Sequence, residues 1–484
     1  MSDIKKQAVR SVAVTLGAQA IKFIIGLGVT MVLARLLTPK DYGVVAMVGV
    51  ITGFVAIFRD GGLSVATVQR ADITEAQIST LFWINAALGT GTALALALLS
   101  PFVAWFYDDN AMIWLLLALA VPFILGGLTA QLQALLQRQM RFKAIAFIDI
   151  AGLVISAAVG ITTAAAGWGS WALVTMTVAL AVVNTGLVFF FCRWRPSRPV
   201  RGAGVSSMLR FGGELTATKF LDSLACSVDI VLLGKFFAAE MVGLYTRAQT
   251  LMLQPLTQIM PPLFNVALPV LSRLAERPES FRRVFLDLLQ LTAFASSFIT
   301  VLLVVGGDWL ISIFLGPRWI EVSDILRLMA GPALFIPLSS LCVLSLITQG
   351  KGSSLLRWGL QKNMILIIAI IAGITWGAKG VAGAISIASV FILLPLLNYI
   401  TAKAGPASLK EIWWAVGPGV GFSAFSCGVL YFIRHELQLE NPLSGLLMLF
   451  CINCLLHALI MAALPSCRAA LARKMGVILS SRAA

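Results

Sequence analysis

Long apolar stretches separated by short polar segments recur along almost the whole chain, from Val12 to Leu464. A helix needs about 20 predominantly apolar residues to cross the hydrocarbon core of a bilayer, and by this rule the sequence predicts about fourteen membrane-spanning helices. They cover residues 12–33, 44–58, 78–99, 112–130, 144–166, 170–191, 208–234, 242–270, 284–305, 325–348, 360–376, 381–399, 412–432 and 443–464. The pattern therefore predicts an all-α integral membrane protein.

Composition and the placement of charge agree with this prediction. Hydrophobic residues make up 59% of the chain and charged residues only 12%. A net charge of +15 would suggest a nucleic-acid partner for a soluble protein, but here most Lys and Arg residues fall in alternate loops, so we expect no such partner. The loops on the other side of the membrane contain only seven basic residues, which are Arg35, Lys40, Lys235, Arg318, Arg327, Lys379 and Arg434. Because cytoplasmic loops retain basic residues, both termini are expected in the cytoplasm.

A weak internal repeat relates two parts of the chain. Residues 33–47 align with residues 233–247, and each segment contains a span end, a basic residue, two large apolar residues, a short polar turn and a glycine. A second pair, residues 167–172 and 378–383, predicts a tight outer turn at the corresponding place in each part. A chance match between apolar segments is the alternative explanation.

The repeat predicts two pseudo-symmetric six-helix lobes that run parallel, related by an axis along the membrane normal. A basic linker with two prolines, residues 193–201, joins them. The predicted divisions are an N-lobe in residues 1–200, a C-lobe in residues 201–405, and two further helices with a cytoplasmic tail in residues 406–484.

Two lysines lie in the middle of predicted spans. Lys22 is in the first span and Lys219 in the seventh, and the alignment of the repeat pairs them when a three-residue gap is allowed. A Lys at the centre of a spanning helix costs roughly 2.5 to 3.5 kcal/mol, so such residues usually face a bundle interior or a wet cavity. Gln19 lies on the same helical face as Lys22. We therefore predict that these residues line a hydrophilic cavity.

Lysines in a low-dielectric cavity suit an anionic ligand such as a phosphate or pyrophosphate. Lys22 has no acidic residue within reach along its own helix, which favours a substrate-binding role. Lys219 has a second interpretation, because Asp222 follows it at the spacing of a structural i, i+3 ion pair. Arg247, early in the eighth span, is either a further substrate-binding residue or a side chain that extends outward to the membrane surface.

Three carboxylates near the hydrocarbon are candidates for coupling transport to H⁺ or Na⁺. They are Asp149, Asp222 and Asp229. Two of them, Asp222 and Asp229, share a stripe of the seventh helix with Lys219. Simpler explanations remain, because Asp229 is near Lys235 in sequence and Asp149 is near Arg141 and Lys143.

The first cytoplasmic loop contains the pair Gly61 and Gly62, with Arg59 before it. Two adjacent glycines supply either a hinge that bends during gating or a simple turn. The sequence leaves both interpretations open.

Several kinds of catalytic chemistry are missing from the sequence. There is no Gly-x-x-x-x-Gly-Lys-Ser/Thr phosphate loop, so we expect no ATP hydrolysis by this chain. With His435 and His457 as its two histidines, the chain is not expected to form a histidine metal site. The longest outer loops, around Asp108 and across residues 306–324, are short. We therefore expect a transporter without a metal or cofactor rather than an enzyme.

Four segments, residues 34–43, 60–64, 137–142 and 242–248, resemble the polysaccharide transporter (Wzx-like) branch of the MOP flippase superfamily. The resemblance covers nearly the whole chain. It implies a bacterial inner-membrane protein with two six-helix lobes around a V-shaped cavity, which flips an undecaprenyl-pyrophosphate-linked oligosaccharide by alternating access for exopolysaccharide, O-antigen or capsule synthesis. In that family cationic cavity residues are thought to contact the pyrophosphate, a role that we transfer only to Lys22 and Lys219. Expected partners are the lipid-linked oligosaccharide, membrane lipids, H⁺ or Na⁺, and the polysaccharide polymerase and chain-length machinery.

Two other functions compete with this one. A MATE-type multidrug antiporter of the same superfamily carries mostly cations and should favour acidic over basic cavity residues, so the two lysines argue against it. A membrane glycan polymerase or ligase would need a large outer loop with catalytic Arg or His, and the sequence shows none.

Overall fold

The computed structural model describes residues 2–60, 63, 64, 67, 73–200, 213, 216, 227–437 and 441–463. The regular structure of these residues is helical, with no β-strand among them. Within the same residues, 11 helical stretches are long and apolar enough to cross a membrane. The chain is therefore an all-α, multi-pass membrane protein, as the hydrophobic pattern predicts. Lys219, Asp222, Gly61 and Gly62 lie outside the described residues.

The helices are numbered in chain order. They are α1 Ser2–Leu36, α2 Pro39–Asp60, α3 Glu75–Tyr107, α4 Ala111–Arg138, α5 Phe142–Ala165, α6 Ser170–Cys192, α7 Val228–Phe236, α8 Ala239–Leu274, α9 Pro278–Phe314, α10 Val322–Leu328, α11 Ala330–Thr348, α12 Gly352–Gly373, α13 Gly377–Ile387, α14 Leu394–Ala404, α15 Leu409–Leu437 and α16 Pro442–Ala463. A π-helical segment, Ala388–Leu393, joins α13 to α14 without a break. Each predicted span overlaps one of these helices or a consecutive pair.

The helices extend beyond the apolar stretches that predict them, most clearly at α9. The outer loop expected over residues 306–324 is wrong in its first half, because α9 continues to Phe314. The helix ends where Gly316 adopts φ 94° and Pro317 begins a short 3₁₀ turn. Hydrophobic length reports the part of a helix that crosses lipid, whereas helix ends are set by such local backbone signals.

The described residues form two compact units, Met1–Gly243 and Leu244–Ala484. In the first unit, α3 and α4 approach closely at Gly89 and Gly127, where a Cβ on Gly89 would lie 2.7 Å from the Phe123 carbonyl oxygen. Small residues let helix backbones approach in this way inside membranes. The predicted boundaries at residues 200 and 405 stay a prediction.

The second unit is organised around the long helix α9. Its core combines Phe281 and Phe285 of α9 with Leu338 of α11, Leu397 of α14 and Val416 of α15, all almost fully buried. A smaller cluster joins α9 to α15 and α16 through Trp309, Leu430 and Leu449. The last two helices are therefore packed onto the core of this unit.

Thr74 caps the N-terminus of α3. Its hydroxyl accepts a hydrogen bond from the Gln77 backbone N–H at 3.3 Å, and the Gln77 side chain accepts one from the Thr74 N–H at 3.1 Å. This reciprocal capping box satisfies two backbone donors that the helix leaves unpaired.

Replacing Thr74 by Ala is expected to lower the free energy of unfolding by about 1 kcal/mol, since the hydroxyl acceptor is lost. Thermal unfolding of the purified protein in detergent measures the change. Thr74→Ser is the matched control, because serine keeps the hydroxyl and should restore most of the stability. Equal melting temperatures for the Ala and Ser variants would contradict the capping role.

The two segments aligned by the first repeat have the same local structure. Helix α1 ends at Leu36 and α2 begins at Pro39, whereas α7 ends at Phe236 and α8 begins at Ala239. These are the positions that the alignment pairs. The start of α2 also packs against the start of α8, as a Cβ on Gly43 would overlap the Ala239 carbonyl oxygen and one on Gly243 would overlap that of Pro39. The two contacts are equivalent under the repeat, because the alignment pairs Gly43 with Gly243 and Pro39 with Ala239.

Candidate functional site

Lys22 of α1 forms an ion pair with Asp149 of α5. The Lys22 Nζ lies 2.7 Å from Asp149 Oδ2, and the two residues are separated by 127 positions in the sequence. Both belong to the unit Met1–Gly243. The structure therefore gives Lys22 an acidic partner from another helix, which inspection of its own helix did not reveal.

The pair is only partly covered by protein. The Lys22 side chain is 32% exposed and that of Asp149 38% exposed. An ammonium group carries three N–H donors and a carboxylate two acceptor oxygens, so one mutual hydrogen bond leaves both groups able to bind something else. This arrangement can present a cation to an anionic ligand while the carboxylate is available for H⁺ or Na⁺.

Asp149 does not pair with the basic residues nearest to it in sequence. Arg141, at the start of α5, instead donates a hydrogen bond to the Phe191 carbonyl oxygen at 2.8 Å. Asp149 is thus paired with Lys22, and not with Arg141 or Lys143 as the simpler explanation had it, while its role in ion coupling stays a prediction.

No contact with the Lys22–Asp149 pair is shown for the other predicted site residues that the structure describes. Gln19 of α1 is exposed, and Arg247 of α8 is half-buried within the unit Leu244–Ala484. Asp229 at the start of α7 is only 4% exposed, and its Oδ1 accepts a hydrogen bond from the Ile230 N–H at 2.8 Å. The structure thus brings Lys22 and Asp149 together, while the roles of Gln19, Arg247 and Asp229 stay predictions.

Lys235, the basic residue shared by the repeat, lies at the end of α7 next to α3. Its Nζ donates to the Phe106 carbonyl oxygen at 2.5 Å, lies 3.4 Å from Asp108 Oδ2, and is 5.1 Å from the centroid of the Phe106 ring. These contacts fix α7 to the end of α3, where Lys235 is exposed. Its role is structural.

Arg59 is a polar residue that the sequence pattern misplaces. It was expected in the first cytoplasmic loop, but α2 continues to Asp60, so Arg59 lies in the last turn of that helix. Its guanidinium group occupies the space beside Gly126 of α4, where a Cβ would lie 2.8 Å from Nη1. Gly126 is visible in the sequence as a small residue that leaves space beside α4, but nothing in the sequence shows that Arg59 fills this space.

A family model and several similar proteins agree on the family of this chain. A family model described as "Polysaccharide biosynthesis protein" matches residues 32–324. The chain is 24% identical to the teichuronic acid biosynthesis protein TuaB of Bacillus subtilis (strain 168), over 73% of this chain and 72% of that protein. It is 25% identical to the lipopolysaccharide biosynthesis protein WzxC of Escherichia coli (strain K12), over 79% and 78%. The succinoglycan biosynthesis transport protein ExoT of Rhizobium meliloti (strain 1021) is 23% identical, over 76% and 73%.

Solved structures show the same fold. The structure described as lipid II flippase MurJ in an inward closed conformation superposes with a TM-score of 0.73 at 14% identity, covering 93% of this chain and 98% of that one. An inward-facing multidrug resistance transporter of the MATE family, MOP superfamily, gives a TM-score of 0.59 at 12% identity, covering 81% and 95%. At these identities the likeness establishes the fold alone.

Proposed function

Because the chain belongs to the polysaccharide biosynthesis protein family, we propose that it is a flippase for undecaprenyl-pyrophosphate-linked oligosaccharide units. It carries them across the bacterial inner membrane for exopolysaccharide, O-antigen or capsule synthesis. The chain is a multi-pass membrane transporter and not an enzyme. The relatives named for teichuronic acid, lipopolysaccharide and succinoglycan synthesis support a saccharide substrate.

The observation that carries this proposal is the Lys22–Asp149 pair. It is partly exposed and lies within two of the apolar helices that can cross a membrane. Under the proposal, the pyrophosphate of the substrate competes with Asp149 for the Lys22 ammonium group. Phosphate oxygens form strong charge-assisted hydrogen bonds with such a donor. Asp149, released from Lys22, then binds the coupling H⁺ or Na⁺, and its return to Lys22 expels the phosphate.

The remaining predicted residues have auxiliary roles in this proposal. Lys219, Gln19 and Arg247 bind substrate, Asp222 and Asp229 bind the coupling ion, and Gly61 with Gly62 forms the gating hinge. Both termini face the cytoplasm, and the polymerase and chain-length machinery receive the flipped units on the other side.

Flipping is measured directly with the purified chain in proteoliposomes that contain an undecaprenyl-pyrophosphate-linked oligosaccharide. We expect the protein to equilibrate the labelled saccharide between leaflets, so that an external glycosidase cleaves nearly all of it, compared with about half in protein-free liposomes. Heat-denatured protein controls for leakage. A cleaved fraction that stays at the protein-free level for oligosaccharides from several pathways would overturn the proposal.

The MATE fold likeness makes cation transport the competing function. We expect no accumulation of fluorescent organic cations in the same proteoliposomes under a pH or Na⁺ gradient, since Lys22 repels cations. Cation accumulation that is abolished by Asp149→Asn, together with no saccharide flipping, would favour the antiporter instead.

A further inference from the structure

The second unit contains a group of charged residues near the ends of α9 and α15 that the proposed function does not use. Arg434 of α15 forms a two-pronged ion pair with Asp308 of α9, with Nη1 2.7 Å from Oδ1. The same Arg434 donates a hydrogen bond to the Val305 carbonyl oxygen, and its guanidinium carbon lies 4.2 Å from the centroid of the Trp309 ring. These contacts hold the guanidinium group in a fixed position.

The network continues through α10. Arg327 Nη2 lies 3.3 Å from Asp308 Oδ1 and its Nη1 lies 3.6 Å from Asp324 Oδ1, while Lys379 of α13 pairs with Asp324 at 2.6 Å. The network thus joins three cations to two carboxylates and keeps an excess of positive charge. That excess is the electrostatic requirement for binding an anion.

A cavity of about 340 Å³ opens beside this network. Its polar lining consists of Arg327, Arg434, Tyr431 and His435, with Val304 and Val305 as the apolar part. Tyr431, Arg434 and His435 are spaced i, i+3 and i+4, so they lie on one face of α15. No protein partner of the Tyr431 hydroxyl or the His435 ring is found among the described residues, and each of these groups can donate a hydrogen bond.

The hydrophobic pattern of the sequence predicts that the cavity lies at the level where polar headgroups begin. The predicted apolar stretches of α9 and α15 end at Val305 and Phe432, just before Asp308 and Arg434. Tyr431, which is 67% exposed, fits the aromatic belt that marks a membrane interface. On the neighbouring helix α16, Leu443 and Leu447 lie one turn apart and are more than half exposed, which provides an apolar surface for acyl chains.

From these observations we propose that Arg327, Arg434, Tyr431 and His435 form a binding site for the phosphodiester headgroup of an anionic phospholipid. The two guanidinium groups supply charge, the tyrosine and histidine supply further donors, and the exposed leucines of α16 contact the acyl chains. By the positive-inside count, the site faces the outer leaflet. Substrate flipping and this lipid site are independent, because none of these residues belongs to the Lys22–Asp149 pair.

Native mass spectrometry of the delipidated full-length protein tests the site with dioleoyl phosphatidylglycerol as probe. We expect Arg327→Gln to weaken binding of the tightest phosphatidylglycerol about tenfold, the loss of one charge-assisted hydrogen bond. Lys379→Gln is the matched control, because it removes one charge from the same network but does not line the cavity. Unchanged phosphatidylglycerol binding in Arg327→Gln, or an equal loss in Lys379→Gln, would overturn the proposal.

A second variant covers the case in which Arg327→Gln impairs folding. Tyr431→Phe combined with His435→Ala leaves every ion pair of the network intact and should also weaken phosphatidylglycerol binding severalfold. A photoactivatable phosphatidylglycerol, used below saturation, should label α15 near Tyr431 in the parent protein and label it severalfold less in this double variant. Equal binding of phosphatidylcholine would mean that the site holds lipids without regard to charge, and the proposal would be wrong. Full displacement of the lipid by millimolar inorganic phosphate would mean that the site binds a free anion instead. Labelling of the double variant at the parent level would likewise overturn the assignment.

Discussion

Lys22→Ala is expected to slow translocation of the lipid-linked oligosaccharide about ten- to hundredfold, the loss of one or two charge-assisted hydrogen bonds to the pyrophosphate. The protein should remain in the membrane, because α1 keeps its apolar length. Glycosidase protection in proteoliposomes measures the rate, and quantification of the membrane-inserted protein normalises it. Lys22→Arg should retain much of the rate, since the cation is preserved.

The ion pair with Asp149 complicates the single variant, and a double variant resolves it. Lys22→Ala leaves the Asp149 carboxylate without its partner, and an unsatisfied polar group of this kind costs about 1–3 kcal/mol. Combining Lys22→Met with Asp149→Leu removes both charges and should restore stability. If Lys22 binds substrate, this stable double variant still flips the substrate as slowly as Lys22→Ala does.

Matched variants separate a local effect from a general loss of charge. Lys143, exposed near the start of α5, is the control, and Lys143→Ala should flip the substrate at the parent rate. Asp149→Asn should still bind substrate but lose its dependence on the coupling ion. Recovery of full flipping by the double variant would show that Lys22 serves only to neutralise Asp149, and the substrate-binding role would be wrong.

The sequence predicts the spanning helices well because the requirement is local. Crossing lipid demands about 20 apolar residues in succession, and that signal is present in each stretch without reference to any other. Helix ends follow different rules. The end of α9 depends on the left-handed backbone at Gly316 and on Pro317, so the apolar stretch that ends at Val305 underestimates the helix by more than two turns.

The candidate site was predictable only in part. The depth of Lys22 follows from its position in one apolar stretch, but its pairing with Asp149 joins residues 127 positions apart. Such a contact depends on which faces of α1 and α5 meet, and a single helix pattern does not contain that information. The contact of Arg59 with α4 could not be predicted for the same reason, because the space that its side chain fills is provided by Gly126 on a different helix.

The glycine shared by the two repeat segments lies at a close helix contact in the structure. Gly43 and Gly243 occupy equivalent positions in the aligned segments, and each lies where a Cβ would overlap a backbone carbonyl oxygen, that of Ala239 or of Pro39. A backbone atom cannot rotate away as a side chain can. Glycine is therefore required at both positions for the starts of α2 and α8 to pack at this distance.

Gly43→Ala is expected to lower the free energy of unfolding by about 3 kcal/mol, the upper range for overpacking, because α2 and α8 must separate to admit the methyl group. Chemical unfolding in detergent micelles, followed by tryptophan fluorescence, measures the change. Gly53→Ala is the matched control in the same helix, since a Cβ at that position would have no neighbouring atom within 4 Å among the described residues. That variant should be neutral or gain about 0.5–1 kcal/mol from helix propensity.

The double variant makes the test specific for this crossing. Gly243→Ala alone should cost about as much as Gly43→Ala, but the two together should cost much less than the sum, because one separation of the helices admits both methyl groups. Full additivity would mean that the two glycines act at independent places. A Gly43→Ala protein as stable as Gly53→Ala would show that the two helix starts do not touch in the membrane, and the paired packing of the repeat would have to be abandoned.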